Sequence, residues 1–129
     1  MTNAKHNTQR HVLGFAASLE LGTGTLLMLD PALMITLLLG DHTSAAVTRA
    51  LARCFGVALV ALGLACWPQR PTAEARRLAV RAMCTYNALI ALYLAYLRVA
   101  SAEHMGGWLL WPAVALHALV GAWLFALRD

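Results

Sequence analysis

Hydrophobic residues fall into four long runs, residues 12–29, 45–67, 82–97 and 108–127, with polar turns rich in proline, glycine or charge between them. Each run is close to the roughly 20 apolar residues that carry a helix across about 30 Å of hydrocarbon. Small and polar residues recur inside the runs every three or four positions, which is the period of a helix. The pattern predicts an all-α fold: an integral membrane four-helix up-down bundle, one transmembrane helical domain spanning residues 1–129.

The turns refine this picture. Asp30-Pro31 ends the first run and starts a short helix, Pro31–Leu39, because Asp30 suits a helix cap, Pro31 a first helical position and Gly40 a C-terminal stop. At about 1.5 Å per residue this helix is about 14 Å long, too short to cross, so it is expected to lie at the outer interface or over the bundle mouth. Asp41, His42, Thr43 and Ser44 supply turn and capping chemistry before the second long helix, which is expected to reach Trp67 and stop against Pro68 and Pro71. Beyond the turn from Gln69 to Thr72, Thr72 is expected to cap a third helix that begins outside the hydrocarbon and carries Arg76, Arg77 and Arg81. Met1 to His11 are polar and expected to be poorly ordered unless a partner holds them. The run after them is interrupted by Glu20 and has no small-x-small cleavage site, so it reads as an uncleaved first span.

Composition agrees: 60% of the 129 residues are hydrophobic and 12% charged, against about 25% charged in soluble domains. A net charge of +4 could point to nucleic acid, but the basic residues flank apolar runs instead of forming a stripe on a polar domain, so no nucleic-acid partner is expected. Lys5, Arg10, Arg70, Arg76, Arg77, Arg81 and Arg128 fall on one side of a four-span arrangement; Arg49, Arg53 and Arg98 fall on the other, with Asp30, Asp41 and Glu103. That asymmetry puts both termini in the cytoplasm. Trp108 and Trp111 at one end of the last run, with Trp123 towards the other, fit interfacial aromatic belts.

Against this background the polar residues within the runs stand out. A charge at a helix centre in hydrocarbon costs roughly 2.5–3.5 kcal/mol on insertion scales, so Glu20 should face the interior, a partner or water. Ala16 and Gly24 leave space one turn on either side of it, and Gly14, Ser18 and Gly22 strip bulk from the adjacent face, where another backbone is expected to approach. Ala52, Gly56, Val60 and Gly63 form a similar seam on the second helix. Arg53 either reaches lipid phosphates or turns inward to Glu20. On the third helix Met83, Asn87, Ala91, Leu94 and Arg98 share a face, Tyr86, Tyr93 and Tyr96 lie on neighbouring ones, and the Asn87 amide is expected to bond another helix. His117, with Ala113 and Gly121 around it, should reach a depth similar to that of Glu20, with Asn87 nearer the cytoplasmic side. Glu20, Arg53, Asn87 and His117 are thus the candidates for ligand binding or proton relay, with Glu20 and His117 expected to face each other. The same pair would also serve simply to fix helix register.

Other chemistry is poorly represented. Glu20 and His117 lack the helical Glu-x-x-His pairing of di-iron bundles, His104 and Met105 make only half of a soft copper site, and no metal site is expected. No serine nucleophile motif, phosphate loop or dinucleotide fingerprint occurs. Cys54, Cys66 and Cys84 read as small buried thiols.

The run Leu51-Ala52-Arg53-Cys54-Phe55-Gly56, followed by Ala61-Leu62-Gly63-Leu64 and, after a basic turn, a further apolar helix, resembles small bacterial four-helix inner-membrane proteins of the DoxX-like kind. The resemblance covers architecture and an Arg-x-x-Gly…Leu-Gly pattern over roughly half the chain. It implies a bacterial inner-membrane location and association with a redox complex, and it transfers no catalytic residue. The expected function is that of a small multi-pass membrane protein whose polar intramembrane cluster binds a small amphipathic ligand, such as a lipid or quinone, or a partner membrane protein, including a second copy of itself. The alternative is a small membrane enzyme or proton-coupled carrier that uses Glu20 and His117.

Overall fold

The computed structural model describes residues 3–43, 45–68, 72–100 and 106–128, with side chains from His6 onward. The expectations placed on the Lys5 side chain, Ser44, Gln69, Arg70, Pro71, Glu103, His104 and Met105 lie outside the described residues. The structure is all-helical over these residues, with five helices: α1 (Asn3–Leu29), α2 (Pro31–Leu39), α3 (Ala46–Ala65), α4 (Ala73–Val99) and α5 (Leu110–Ala126). Three of them, α1, α3 and α4, contain segments long and apolar enough to cross a membrane. Helix α5 is equally apolar but has 17 residues, about 25 Å of helix.

The largest departure from the sequence reading is at the start of the chain, where α1 is already helical from Asn3 instead of poorly ordered. A buried stripe explains why: Gln9, Leu13, Ala16, Glu20 and Leu27 repeat at helical spacing and all face inward. Gln9 Nε2 donates to the Leu127 carbonyl at 2.9 Å, which ties the start of α1 to the end of α5.

Helix α1 touches each of the other four helices and packs most extensively on α3. The two run antiparallel, since Gly24 meets Gly56 while Ala17 and Leu21 meet Gly63. The approach is close: a Cβ built on Gly24 would lie 2.6 Å from the Gly56 carbonyl oxygen, and one on Gly56 the same 2.6 Å from the Gly24 carbonyl oxygen. The seam on α3 therefore meets the Ala17/Gly24 side of α1. The expected Gly14, Ser18 and Gly22 stripe does not serve as this contact, because Ser18 and Gly22 are exposed and a Cβ on Gly22 would meet nothing within 4 Å.

Helices α4 and α5 form the second antiparallel pair, with Cys84 Sγ donating to the Gly121 carbonyl at 3.6 Å. The pairs meet through a core in which Val12, Leu13, Ala16 and Ala17 of α1 pack with Val80 and Met83 of α4 and with Val120 and Leu124 of α5. A smaller cluster of Leu27, Met34 and Leu59 sits beneath α2.

Helix α2 closes the other end of the molecule. Asp30 Oδ1 accepts from the Leu33 amide at 3.0 Å, Pro31 opens the helix, and Gly40 ends it in the left-handed region at φ 76°. Its last carbonyls, from Leu37, Leu38 and Leu39, accept from the amides of Leu109, Gly107 and Gly106 at 2.9–3.1 Å, so groups that a helix terminus leaves open are satisfied by the chain entering α5. Two local expectations change. Helix α3 begins after Ala45 without a side-chain cap, because alanine at the cap position has no side-chain acceptor, while Asp41 Oδ1 accepts from the backbone and hydroxyl of Thr43 within the turn. Helix α3 also stops at Ala65, two residues before Trp67. Thr72 does cap α4, accepting from the Ala75 amide at 3.2 Å.

Candidate functional site

Three of the four candidate residues converge where α1, α4 and α5 meet. Glu20 is 1% exposed and Asn87 is fully buried. His117 Nδ1 lies 2.9 Å from Asn87 Oδ1 and 4.0 Å from Glu20 Oε1. Gly121 packs against Asn87 at this crossing, where a Cβ would stand in ordinary contact 3.4 Å from Asn87 Cβ. Asn87 packs its backbone against Gly121, one turn beyond His117 towards the end of α5, and its side-chain oxygen meets the ring across that turn.

The orientation of the amide fixes the imidazole. Asn87 Nδ2 donates to the Met83 carbonyl at 2.9 Å, which leaves Oδ1 as the acceptor facing the ring. His117 must donate from Nδ1 to complete that bond, so its neutral form carries the proton on Nδ1 and offers Nε2 as an acceptor.

Glu20 is differently placed. At 4.0 Å its carboxyl is beyond hydrogen-bond range of the ring, and both of its oxygens are buried without a hydrogen-bond partner among the described residues. The Tyr86 phenol is another polar neighbour, close enough to interact electrostatically with the carboxyl. Tyr86 also meets His117 edge to face, with ring centroids 5.9 Å apart and planes at 85°.

Arg53 does not join this cluster. Its Nε donates to the Met28 carbonyl at 3.2 Å, where a basic side chain satisfies an open carbonyl in the last turn of α1 and complements the helix dipole. Eight residues separate Met28 from Glu20, about 12 Å along the helix.

Above the polar residues lies a cavity of about 240 Å³ reached by all five helices. Leu19, Thr23 and Leu27 of α1, Met34 and Leu38 of α2, and Phe55 and Leu59 of α3 line one side. Ile90, Leu94, Pro112, Ala113 and Leu116 line the other, with Tyr86 and His117 as its polar members besides Thr23. Helix α2 thus forms part of the wall of an apolar chamber whose floor is polar. No protein-family model, curated protein or solved structure matches this chain. Its site is legible only from its own residues.

One member of the site, Tyr86, and one buried tie outside it, Gln9, escape a reading of the sequence. Tyr86 is one of three tyrosines on α4, and only its position beside Asn87 separates it from Tyr93 and Tyr96, which are 57% and 54% exposed. Gln9 sits in a polar stretch, yet it continues the stripe Leu13, Ala16 and Glu20 by one turn. Of the cysteines, Cys66 is buried and Cys84 half-buried, whereas Cys54 is exposed rather than buried as expected. Among the described residues no cluster of three His, Cys, Asp or Glu side chains could hold a metal.

Proposed function

We propose that the chain is a multi-pass membrane protein, a four-span up-down bundle with both termini cytoplasmic, that binds a small amphipathic ligand in the cavity beneath α2. The membrane reading is supported by the distribution of polarity. Large apolar side chains such as Leu29, Val47, Leu92 and Leu119 are 69–76% exposed, while Glu20 and Asn87 are buried, the reverse of a soluble domain. Helix α5, about 25 Å long, crosses with its flanking turns included, Trp108 and Trp111 at one interface and Trp123 towards the other. The inner-membrane location and association with a redox complex follow from the DoxX-like resemblance.

The observation that carries the ligand reading is the chamber itself, with apolar walls and a floor of Tyr86 and His117 backed by the unpartnered Glu20 carboxyl. At about 240 Å³ it is smaller than the roughly 300–1,000 Å³ of drug-sized pockets, so it suits one ring or a short chain. His117 Nε2 accepts a hydrogen bond, and the Tyr86 hydroxyl donates or accepts. The head group that satisfies both is a hydroxyl, as in an alcohol, a phenol or a reduced quinone, with the remainder of the molecule among the leucines.

Native mass spectrometry of the purified protein, followed by organic extraction, tests this. A bound neutral amphipath lost on Ala113→Phe is the expected result; a protein that carries none and takes up no added alkanol or phenol contradicts it. The orphaned Glu20 oxygens favour a second reading, a proton-coupled carrier or small membrane enzyme using Glu20 and His117. Proton flux or turnover abolished by Glu20→Gln in a folded protein selects that alternative.

A further inference from the structure

Phe55, Leu59, Leu62 and Cys66 share one side of α3, and Ala79, Met83, Tyr86 and Ile90 share one side of α4, each set at successive spacings of four or three residues. Cys66 Sγ donates to the Ala79 carbonyl at 3.7 Å, which registers the two sides against each other at one end. Phe55 lies as many residues before Cys66 as Ile90 lies after Ala79, so this register sets Phe55 opposite Ile90 at the other end, where both line the central chamber.

The seam is tight at the Cys66 end and open at the Phe55 end. Cys66, Met83 and Leu59 are 3%, 0% and 2% exposed, whereas Phe55 is 43% exposed although it forms part of the chamber wall. Backbone contact between α3 and α4 is slight among the described residues, since α3 packs its glycines on α1. Both ends of the chamber are packed. Helix α2 covers one through Met34 and Leu38, held by its bonds to the chain entering α5, and the core of Leu13, Ala16, Val80, Met83 and Leu124 fills the other. Pro112 is also an exposed wall residue, but its ring is tied to the backbone, whereas a phenylalanine side chain turns between rotamers.

Phe55 lies nine residues into α3 from Ala46, about 14 Å along the helix, which is near the middle of a span in the membrane reading. The opening beside it therefore faces hydrocarbon, and Leu51 and Tyr93, one turn further along each helix, are exposed around it. We propose that the ligand enters and leaves the chamber sideways from the bilayer, between Phe55 of α3 and Ile90 of α4, with the Phe55 side chain as the door. This rests on the ligand reading of the chamber and adds the source of the ligand, a molecule dissolved in the hydrocarbon that reaches Tyr86 and His117 without passing through water at α2.

The test is the rate at which a diazirine-bearing alkanol reaches the chamber of the full chain in phosphatidylcholine vesicles, read as adducts on Leu116 after flash illumination at set times after mixing. Phe55→Ala should speed both entry and, on dilution into empty vesicles, loss by about tenfold or more, equivalent to a barrier lower by about 1.4 kcal/mol. Phe55→Trp should slow both, and Ile90→Phe on the facing helix carries the same test if that variant fails to fold. Asp30→Ala, which removes the cap of α2, and Pro112→Ala should leave both rates at the wild-type value. Rates indifferent to Phe55, or raised by Asp30→Ala or Pro112→Ala instead, overturn the route. Weaker labelling at equilibrium in Phe55→Ala with an unchanged entry rate also overturns it, since Phe55 would then be a wall and not a door. A wild-type chamber that takes no label at any time overturns the ligand reading itself, and the route with it.

Discussion

The Nδ1 nitrogen of His117 lies 2.9 Å from the Asn87 side-chain oxygen but 4.0 Å from the Glu20 carboxyl. The amide, not the acid, is therefore the ring's hydrogen-bond partner, and Asn87 is itself oriented by its bond to the Met83 carbonyl. Nitrogen-15 spectra of the protein labelled at histidine should show His117 in the Nδ1-protonated neutral form. An Nε2-protonated ring would contradict the orientation assigned to Asn87.

Asn87→Ala removes that acceptor and leaves a buried donor unpaired. The expected loss of stability is about 1–3 kcal/mol, read as a lower unfolding midpoint in detergent. A change within experimental error would mean that water replaces the amide.

Glu20 and His117 are close enough to couple even without a direct hydrogen bond. In a cycle of Glu20→Gln, His117→Asn and the double change, the interaction energy should be about 0.5–3 kcal/mol, the range for residues in contact. Strict additivity would return the two residues to separate roles.

The α1–α3 contact gives a sharper structural test because it carries its own control. Gly24→Ala and Gly56→Ala each drive a methyl group to 2.6 Å from a carbonyl oxygen of the facing helix, and each should cost about 1–3 kcal/mol through overpacking. Gly22→Ala, two residues from Gly24 and facing open space, should be neutral or stabilise slightly through helix propensity. Equal responses at Gly22 and Gly24 would contradict the observed face.

How far each feature was legible in the sequence depends on how strongly its residues constrain the backbone. Asp30, Pro31 and Gly40 define α2 from end to end, since each acts locally. Glu20, Asn87 and His117 were legible as candidates because an ionisable or amide side chain in an apolar run is conspicuous. The packing face of α1 was not, because Gly14, Ser18 and Gly22 compete with Ala17 and Gly24, and only the spacing of Gly56 and Gly63 on the partner helix chooses between them. Arg53 was ambiguous for a related reason: a long cationic side chain reaches lipid, a carboxylate or a helix terminus equally well, and the open Met28 carbonyl decides. The chamber beneath α2 depends on all five helices at once, so no local pattern announces it.

The ligand reading is tested most directly by photolabelling the membrane-reconstituted protein with a diazirine-bearing alkanol and mapping the adducts by mass spectrometry. Adducts should concentrate on Tyr86, Leu116 and the other cavity walls, compete with excess unlabelled alkanol, and disappear in Ala113→Phe while the protein stays folded. Adducts confined to the exposed outer faces, such as Leu51, Leu92 and Leu119, and unaffected by Ala113→Phe or by competitor, would contradict a ligand site in the bundle.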